Sequence, residues 1–235
     1  MKKSTDLKLV AFDLDGTLLD SAASIIAGVT ECWAACGFPR PEPSAIRRII
    51  GLPWKESIKS LLPEAGNIEM QKIKTYYEEV SRGIRPRRNR DEELFLGVEE
   101  MLAQLDDMGF ILGIITSRSG GRLREILKSK GIEHYFLFVK TTDNGPGKPN
   151  PELMHQALSE TGVAANDALM IGDTTFDIQM ACNAGARAVG VSWGVHEPNE
   201  LLSAGAESVV CDVSEICPTV TKLLGEPALG RNIAD

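Results

Sequence analysis

Short apolar runs alternate with longer amphipathic segments along most of this chain. The runs are "LKLVAF" near the start and, much later, "FILGIIT", "YFLFV", "ALMIG", "RAVGVSW" and "SVVC". Continuous apolar runs of this length, separated by helical patterns, are typical of buried parallel strands in an α/β sheet. The pattern therefore predicts a core made of a parallel sheet that is flanked by helices.

The interval between the first two runs has a different pattern and predicts helices only. Its apolar positions recur at helical spacing, as at Ile26, Val29 and Trp33. Further helical segments follow, with breaks at glycine and proline residues. We therefore predict an all-helical domain at residues 21–90, inserted into a core domain formed by residues 1–20 and 91–235. The chain is expected to cross between the domains near Asp20 and in "RPRRNRDEE".

Composition and charge narrow the class of protein. The 235 residues fit one large or two modest domains. A net charge of -8 argues against a general nucleic-acid binder, which more often carries a basic excess. No apolar run approaches the roughly 20 residues of a membrane span, and the apolar run near the start is too short for a signal peptide. We expect a cytoplasmic protein that binds neither nucleic acid nor membrane.

The cysteines and histidines do not indicate a metal site. The five cysteines are scattered and form no C-x-x-C pair, so neither a disulfide framework nor a zinc knuckle is expected. They are Cys32, Cys36, Cys182, Cys211 and Cys217. The three histidines also lack metal-site spacing. They are His134, His155 and His196, and we expect them to be packed or on the surface.

Carboxylates follow two of the predicted strands. Asp13 and Asp15 end the first strand in "VAFDLDGT", and side chains two residues apart on a strand point the same way. Asp173 ends the strand in "ALMIGD", and Asp177 follows near the start of a helix. The reactive crevice of an open parallel sheet lies beyond the carboxyl ends of its strands, so these acids are expected to converge. Converging carboxylates need a hard cation, for which Mg²⁺ is the natural candidate.

The acids of "DLDGT" and Asp177 also have a purely structural interpretation, which Asp173 at its strand end does not share as easily. An Asp-Gly pair is a common turn signal, and an acid in a first helical turn is favoured by the helix dipole, as Asp177 would be. A calcium loop is excluded, because it would need an acid at Thr17 and a glycine at Leu18. The structural alternatives stay open for the individual motifs.

Two further motifs could bind phosphate. Thr116 and Ser117 end the strand in "FILGIIT" near a helix start, where hydroxyl and amide groups suit an anion, although Ser117 could merely cap the helix. Lys148 lies in the stiff loop "NGPGKPNP", just before a helix for which we expect Asn150 as N-cap and Pro151 as first residue. A lysine in such a loop is otherwise a solvated charge.

The four motifs together resemble a known family. In order and spacing, "DLDGT", the strand-terminal Thr116, Lys148 in "GKPNP" and "GDTTFD" are similar to the four motifs of the haloacid dehalogenase-like (HAD) hydrolases. The helical insertion resembles the C1-type cap of the phosphoglycolate phosphatase-like branch. The resemblance covers nearly the whole chain. It implies a Rossmann-like α/β core with an all-helical cap, and Mg²⁺-dependent hydrolysis of a small phosphomonoester, with 2-phosphoglycolate as first candidate.

The resemblance also implies a role for each motif. Asp13 would attack phosphorus and form an aspartyl-phosphate, and Asp15 would act as general acid and then as general base. Thr116 and Lys148, with Ser117 and its neighbouring amides, would hold the transferring oxygens. The implied Mg²⁺ ligands are Asp13, the carbonyl of Asp15, Asp173 and Asp177.

Related activities fit the motifs less well. Dehalogenases of the family generally lack the second acid, Asp15, and so do its phosphonate-cleaving members, which use a cap lysine such as Lys55. Phosphomutase-like members typically carry an arginine where "GLPWKES" has Trp54. A phosphatase is therefore predicted. A pyrophosphatase, a sugar-phosphate phosphatase or phosphomutase, and a non-catalytic binding module remain as alternatives.

The cap is expected to select the substrate. The candidates in its loop and helices, by position, are Arg47, Arg48, Gly51, Trp54 and Lys55. We expect the partner to be a small phosphorylated metabolite and the protein to be a monomer or homodimer. A basic run could guide anions or be a solvated face of the hinge. It comprises Arg82, Arg85, Arg87, Arg88 and Arg90.

Overall fold

The computed structural model describes residues 7–81, 92–118, 120 and 123–227. The strands are β1 Leu9–Phe12, β2 Leu19–Asp20, β3 Glu93–Leu94, β4 Ile111–Ile115, β5 Phe138–Lys140, β6 Ala168–Gly172, β7 Arg187–Val191 and β8 Ser208–Val210. The helices are α1 Ala22–Cys36, α2 Pro43–Arg48, α3 Trp54–Leu61, α4 Asn67–Ser81, α5 Val98–Asp107, α6 Leu123–Ser129, α7 Glu152–Thr161, α8 Thr175–Asn183, α9 Pro198–Ser203 and α10 Ile216–Leu224.

Six strands form one parallel sheet in the order β5-β4-β1-β6-β7-β8. Phe12 of β1 pairs with Ile114 of β4 on one side and with Ile171 of β6 on the other. Each strand lies within or overlaps one of the six runs, which are mainly apolar because both faces of the sheet are covered. The predicted fold class is confirmed.

The two faces of the sheet are covered by different helices. Val10 and Phe12 of β1 point into a cluster that includes side chains of α5, α6 and α10. Leu9 and Ala11, which alternate with them, point into a cluster with α7, α8 and α9. This alternation fixes the register of β1, since a slip of one residue would exchange the two sets. The strand ends are thereby held in defined positions.

Helices α1–α4, which we call the cap, occupy the interval where the sequence predicts the inserted domain. They have their own apolar cluster, in which Trp33 of α1 packs with Ile46 of α2, Ile58 of α3 and Ile73 of α4. The predicted domain boundaries remain a prediction. The second predicted crossing lies mostly outside the described residues, and so does the basic run from Arg82 to Arg90.

A short antiparallel ribbon joins the two places where the chain passes between core and cap. Leu19 of β2 pairs with Leu94 of β3, and Asp20 pairs with Glu93. The sequence analysis did not predict this ribbon, because strands of two residues are too short to show alternation. The ribbon connects the chain leaving the core to the chain that returns to it.

One predicted helix boundary is wrong by one residue. Helix α7 begins at Glu152 with Pro151 as its N-cap, rather than with Asn150 as N-cap and Pro151 as first residue. The Asn150 side chain still accepts a hydrogen bond from the Glu152 amide, at 3.0 Å. Asn150 thus satisfies a free amide of the first turn from one position further out.

Candidate active site

The two strand-terminal acids lie side by side because their strands are neighbours. Asp13 directly follows β1, Asp173 directly follows β6, and both are buried. The Asp13 amide continues the ladder by donating to the Ile171 carbonyl at 2.9 Å. Carboxylate oxygens of Asp13, Asp173 and Asp177 all lie within 4.8 Å of one another. The predicted convergence of these three acids at the carboxyl edge of the sheet is present in the structure.

Asp177 belongs both to a helix terminus and to this cluster. One of its oxygens accepts hydrogen bonds from the Thr174 amide, at 3.0 Å, and from the Thr174 hydroxyl, at 2.6 Å. The two residues form a capping box at the start of α8. The other oxygen accepts from Lys148. The structural and the functional interpretations of Asp177 are therefore compatible.

Lys148 is fully buried in the acidic cluster, so it is not a solvated charge. Its ammonium lies 2.6 Å from Asp13 and also pairs with Asp177. Burial acts to lower the pKa of Lys148, but the charges of the two acids outweigh burial and raise it. The two acids thus favour the protonated form of Lys148, which holds the Asp13 side chain in place.

Asp173 is held by two donors and approached closely by two glycines. Thr17 donates its hydroxyl to one carboxylate oxygen and Val195 donates its amide to the other, both at 2.9 Å. A Cβ atom at Gly16 would lie 2.3 Å from an oxygen of Asp173, and one at Gly194 would lie 2.1 Å from its Cβ atom. Both positions require glycine for the acid to occupy this place.

Three buried carboxylates share a single lysine, so the cluster carries excess negative charge. Burial, together with the charges of Asp177 and Asp15, raises the pKa of Asp13 to about 7, against the opposing effect of Lys148. Burial and the neighbouring Asp13 and Asp177 also raise the pKa of Asp173 well above its ordinary value. The protein alone therefore does not stabilise all three charges.

The cluster fits a divalent cation. One oxygen of Asp13, Oδ2, is buried and lacks a hydrogen-bond partner among the described residues. A buried carboxylate oxygen without a donor is costly unless a cation meets it. Carboxylate oxygens are the ligands of hard divalent cations. The carboxylate ligands, the excess negative charge of the cluster and the unpartnered Oδ2 atom of Asp13 are all consistent with a bound divalent cation.

Asp15 is paired with Arg118, a residue that the sequence analysis did not single out. The Arg118 guanidinium donates to both carboxylate oxygens of Asp15. Its Nε donates to one oxygen at 3.0 Å, and one of its Nη atoms donates to the other. Its second Nη donates to Glu92 at 3.1 Å. Burial acts to raise the pKa of Asp15, but the charge and hydrogen bonds of Arg118 outweigh it and lower the pKa. The pairing with Arg118 therefore favours the ionised form of Asp15.

Thr116 and Ser117 stand at the end of β4, beside the acids. Thr116 is buried and accepts a hydrogen bond from the Arg118 amide at 3.2 Å. Ser117 donates its hydroxyl to the carbonyl of Gly51 in the cap, at 2.6 Å. Gly51 is close enough to the core that a Cβ there would lie 3.1 Å from the Thr174 side chain. The cap loop thus lies directly against the acid cluster.

The remaining cap candidates divide into two groups. Arg47 donates to the Gly194 carbonyl at 2.7 Å, and Arg48 forms a two-bonded ion pair with Glu200 at 2.8 and 2.9 Å. Both arginines therefore join cap to core. Trp54 lines the cavity described below, and Lys55 lies over its ring at 5.7 Å. That any of these residues binds substrate stays a prediction.

A cavity of about 910 Å³ connects the acids to the cap. Its floor includes Asp13, Asp15, Thr116 and Arg118, and its walls continue between helices of the cap. Gly51 lies on its boundary, whereas Arg47 and Arg48 are not among the described residues that line it. A molecule bound at Asp13 would therefore extend into the cap.

The sequence model of the haloacid dehalogenase-like hydrolases matches residues 10–191, which is most of the chain. The chain is a haloacid dehalogenase-like hydrolase. This finding confirms the resemblance drawn from the four motifs.

Relatives of this hydrolase carry phosphatase names. It is 32% identical to "Probable phosphatase IndB" of Dickeya dadantii, over 92% of this chain and 94% of that protein. It is 29% identical to a phosphoglycolate phosphatase of Vibrio parahaemolyticus, over 92% and 96%. A solved structure, described as a predicted phosphatase from Clostridium acetobutylicum, superposes with a TM-score of 0.81 at 26% identity, over 92% and 99%.

The excess charge predicts how the stability of this hydrolase depends on pH and metal. In EDTA, its free energy of unfolding should fall by a few kcal/mol as the pH rises from about 4 to about 7. The reason is that Asp13 binds its proton more tightly in the fold, with a pKa of about 7, than at the ordinary value of 3.8. Urea unfolding at several pH values would measure this slope.

Two comparisons control this prediction. The slope should be smaller in Asp13→Asn, which cannot titrate, and smaller with saturating Mg²⁺, which favours the ionised carboxylates. A free energy of unfolding that rises over the same pH range in EDTA would contradict the raised pKa of Asp13.

Proposed function

We propose that this hydrolase is a Mg²⁺-dependent phosphatase that cleaves a small phosphomonoester through an aspartyl-phosphate on Asp13. The observation that carries the proposal is the surroundings of the Asp13 carboxylate. One of its oxygens is held by Lys148, the other is buried without a hydrogen-bond donor among the described residues, and the carboxylate lies beside those of Asp173 and Asp177. The phosphatase names of the relatives support the reaction class.

The first step transfers the phosphoryl group to the protein. A carboxylate oxygen of Asp13 attacks phosphorus, the bond from phosphorus to the ester oxygen breaks, and Asp15 protonates the leaving alcohol. In the second step water attacks the aspartyl-phosphate, Asp15 takes a proton from it, and phosphate leaves with Asp13 regenerated. Mg²⁺ bound by Asp13, the Asp15 carbonyl, Asp173 and Asp177 would offset the repulsion between carboxylate and phosphate.

Lys148, Thr116 and the amides near Ser117 orient the phosphoryl group. Lys148 is already buried beside Asp13, so its charge is in place before substrate binds. A cation fixed in a dry site stabilises developing negative charge with little reorganisation. Thr116 is buried at the end of β4, on the floor of the same cavity.

Asp15 must change its surroundings to act as an acid. Its pair with Arg118 lowers its pKa and so disfavours the protonated form that could donate to the leaving group. The proposed mechanism therefore requires the bonds between Arg118 and Asp15 to loosen when the ester binds. A partly opened ion pair would raise the pKa of Asp15 toward the range of a general acid.

The test is phosphate release from a panel of phosphomonoesters with Mg²⁺. The panel contains 2-phosphoglycolate, the first candidate from sequence, together with sugar phosphates and pyrophosphate. At least one monoester should release phosphate, and excess EDTA should abolish the release. Phosphate release that persists in EDTA would contradict the metal requirement. Isomerised sugar phosphate without free phosphate would indicate a phosphomutase instead.

The setting of the enzyme is part of the proposal. We place it in the cytoplasm, as a monomer or homodimer that acts on a small phosphorylated metabolite and binds neither nucleic acid nor membrane. Among the described helices, none is sufficiently long and apolar to cross a bilayer. The five cysteines are free thiols.

A further inference from the structure

The part of the cavity that extends into the cap is mainly apolar. Beyond the acids, its walls are formed by side chains of α1, α3 and α4. Among them are Ile25, Val29, Trp33, Ile58, Leu61 and Tyr77. At about 910 Å³, the cavity is far larger than a phosphate group and a two-carbon acid require. The space above Asp13 therefore suits a bulkier group.

The cations on these walls are poorly placed for a second anionic group on the substrate. Arg118 is already bound by both oxygens of Asp15 and by Glu92. Arg40, the other arginine among the described lining residues, is exposed to solvent. An exposed charge is screened by water and salt, and Arg118 keeps its ion pair with Glu92 even when its bonds to Asp15 loosen. An uncharged leaving group needs no cation on the cavity walls, so neither limitation affects its binding.

Gly28 gives independent support for an occupied space. It lies inside α1 and lines the cavity, where glycine destabilises a helix by about 1 kcal/mol relative to alanine. Its backbone is not in the left-handed region, and a Cβ added there would meet nothing within 4 Å. Neither backbone conformation nor close packing therefore requires glycine at this position. Its effect is to leave cavity volume open.

We propose that the cavity beside Gly28 is a subsite for a bulky, uncharged and apolar leaving group. The inference rests on the proposed phosphatase function, because the group that fills the cavity is the alcohol part of the ester bound at Asp13. An aromatic or branched alkyl alcohol matches the walls, since transfer of its apolar surface from water drives binding. A carboxylated alcohol such as glycolate does not match them.

The first experiment compares benzyl phosphate, ethyl phosphate and 2-phosphoglycolate with the wild-type enzyme and Mg²⁺. We expect kcat/KM for benzyl phosphate to exceed that for each of the other two by at least about tenfold. Equal values for benzyl and ethyl phosphate, or a preference for 2-phosphoglycolate, would overturn the subsite and leave the phosphatase function standing.

The second experiment closes the subsite with Gly28→Leu. The ratio of kcat/KM for benzyl phosphate to that for ethyl phosphate should fall by about tenfold. Ala23→Leu is the matched control, because Ala23 is an exposed residue of the same helix that does not line the cavity, and its ratio should match wild type. Gly28→Ala should unfold at a higher temperature than wild type and show an intermediate ratio.

The experiments distinguish a failure of the subsite proposal from a failure of the proposed phosphatase function. An unchanged ratio in a folded Gly28→Leu protein would overturn the subsite. If no ester is hydrolysed, the proposed function fails, and the subsite is then judged by calorimetric binding of the same two esters. Tighter binding of benzyl than of ethyl phosphate, lost in Gly28→Leu, would uphold the subsite, and equal binding would overturn it.

Discussion

Asp13→Asn should lower kcat/KM for every hydrolysed ester by at least about 1000-fold. The amide is a poor nucleophile, so the aspartyl-phosphate cannot form at a useful rate. The measurement is steady-state phosphate release with saturating Mg²⁺. A second readout is mass spectrometry of the protein after rapid acid quenching, in which wild type should carry a phosphoryl group and the variant should not.

A matched carboxylate separates this effect from a change in overall charge. Asp107 is exposed at the end of α5, so Asp107→Asn makes the same chemical change away from the cavity and should leave kcat/KM within about twofold. Circular dichroism should show both variants folded. Full activity in Asp13→Asn would refute the proposed mechanism, and full loss of activity in Asp107→Asn would show that the assay reports stability.

Among the proposed variants, Lys148→Met should lower the free energy of unfolding the most, and it should also severely lower catalytic activity. Lys148 is fully buried and pairs with Asp13 and Asp177, so its removal leaves both acids without their cation. Breaking a buried ion pair by removing one partner typically costs about 3–5 kcal/mol. Urea unfolding in EDTA at pH 8 would measure the loss, and Mg²⁺ should reduce it by replacing part of the missing charge.

The control for this variant is a lysine on the surface. Lys128 is exposed on α6 and lies 3.8 Å from Glu133, a pair of the kind that contributes at most about 1 kcal/mol. Lys128→Met should therefore change the free energy of unfolding by less than that amount. Equal losses in the two variants would contradict the buried network around Lys148.

The acids of the site could be predicted because the sheet aligns its own strand ends. Asp13 and Asp173 each follow an apolar run directly, and parallel strands place such residues at one edge. Lys148 could be predicted only as a cation held in a stiff loop. The sequence did not show that Lys148 is completely buried between two acids, because no local sequence pattern predicts which distant side chains a loop will contact.

Residues that bring distant segments together could not be predicted in the same way. Arg118 follows the motif serine in a loop of small polar residues, and its partner Asp15 is 103 residues away in the chain. Val195 donates to Asp173 through a backbone amide, which any residue type except proline could supply. The role of Gly28 could not be predicted either, since a lone glycine in a helical pattern lowers the helix propensity but does not indicate that the helix lines a cavity.

The hydrogen bond from Ser117 to Gly51 has a consequence for the diversity of such enzymes. The core donates to a backbone carbonyl of the cap, which is present whatever the neighbouring side chains are. Side chains on the walls of the cavity can therefore be exchanged without removing this attachment of the cap. Substrate preference and attachment of the cap to the core therefore depend on different atoms, so single substitutions in the cap walls can change the preference while this hydrogen bond is kept.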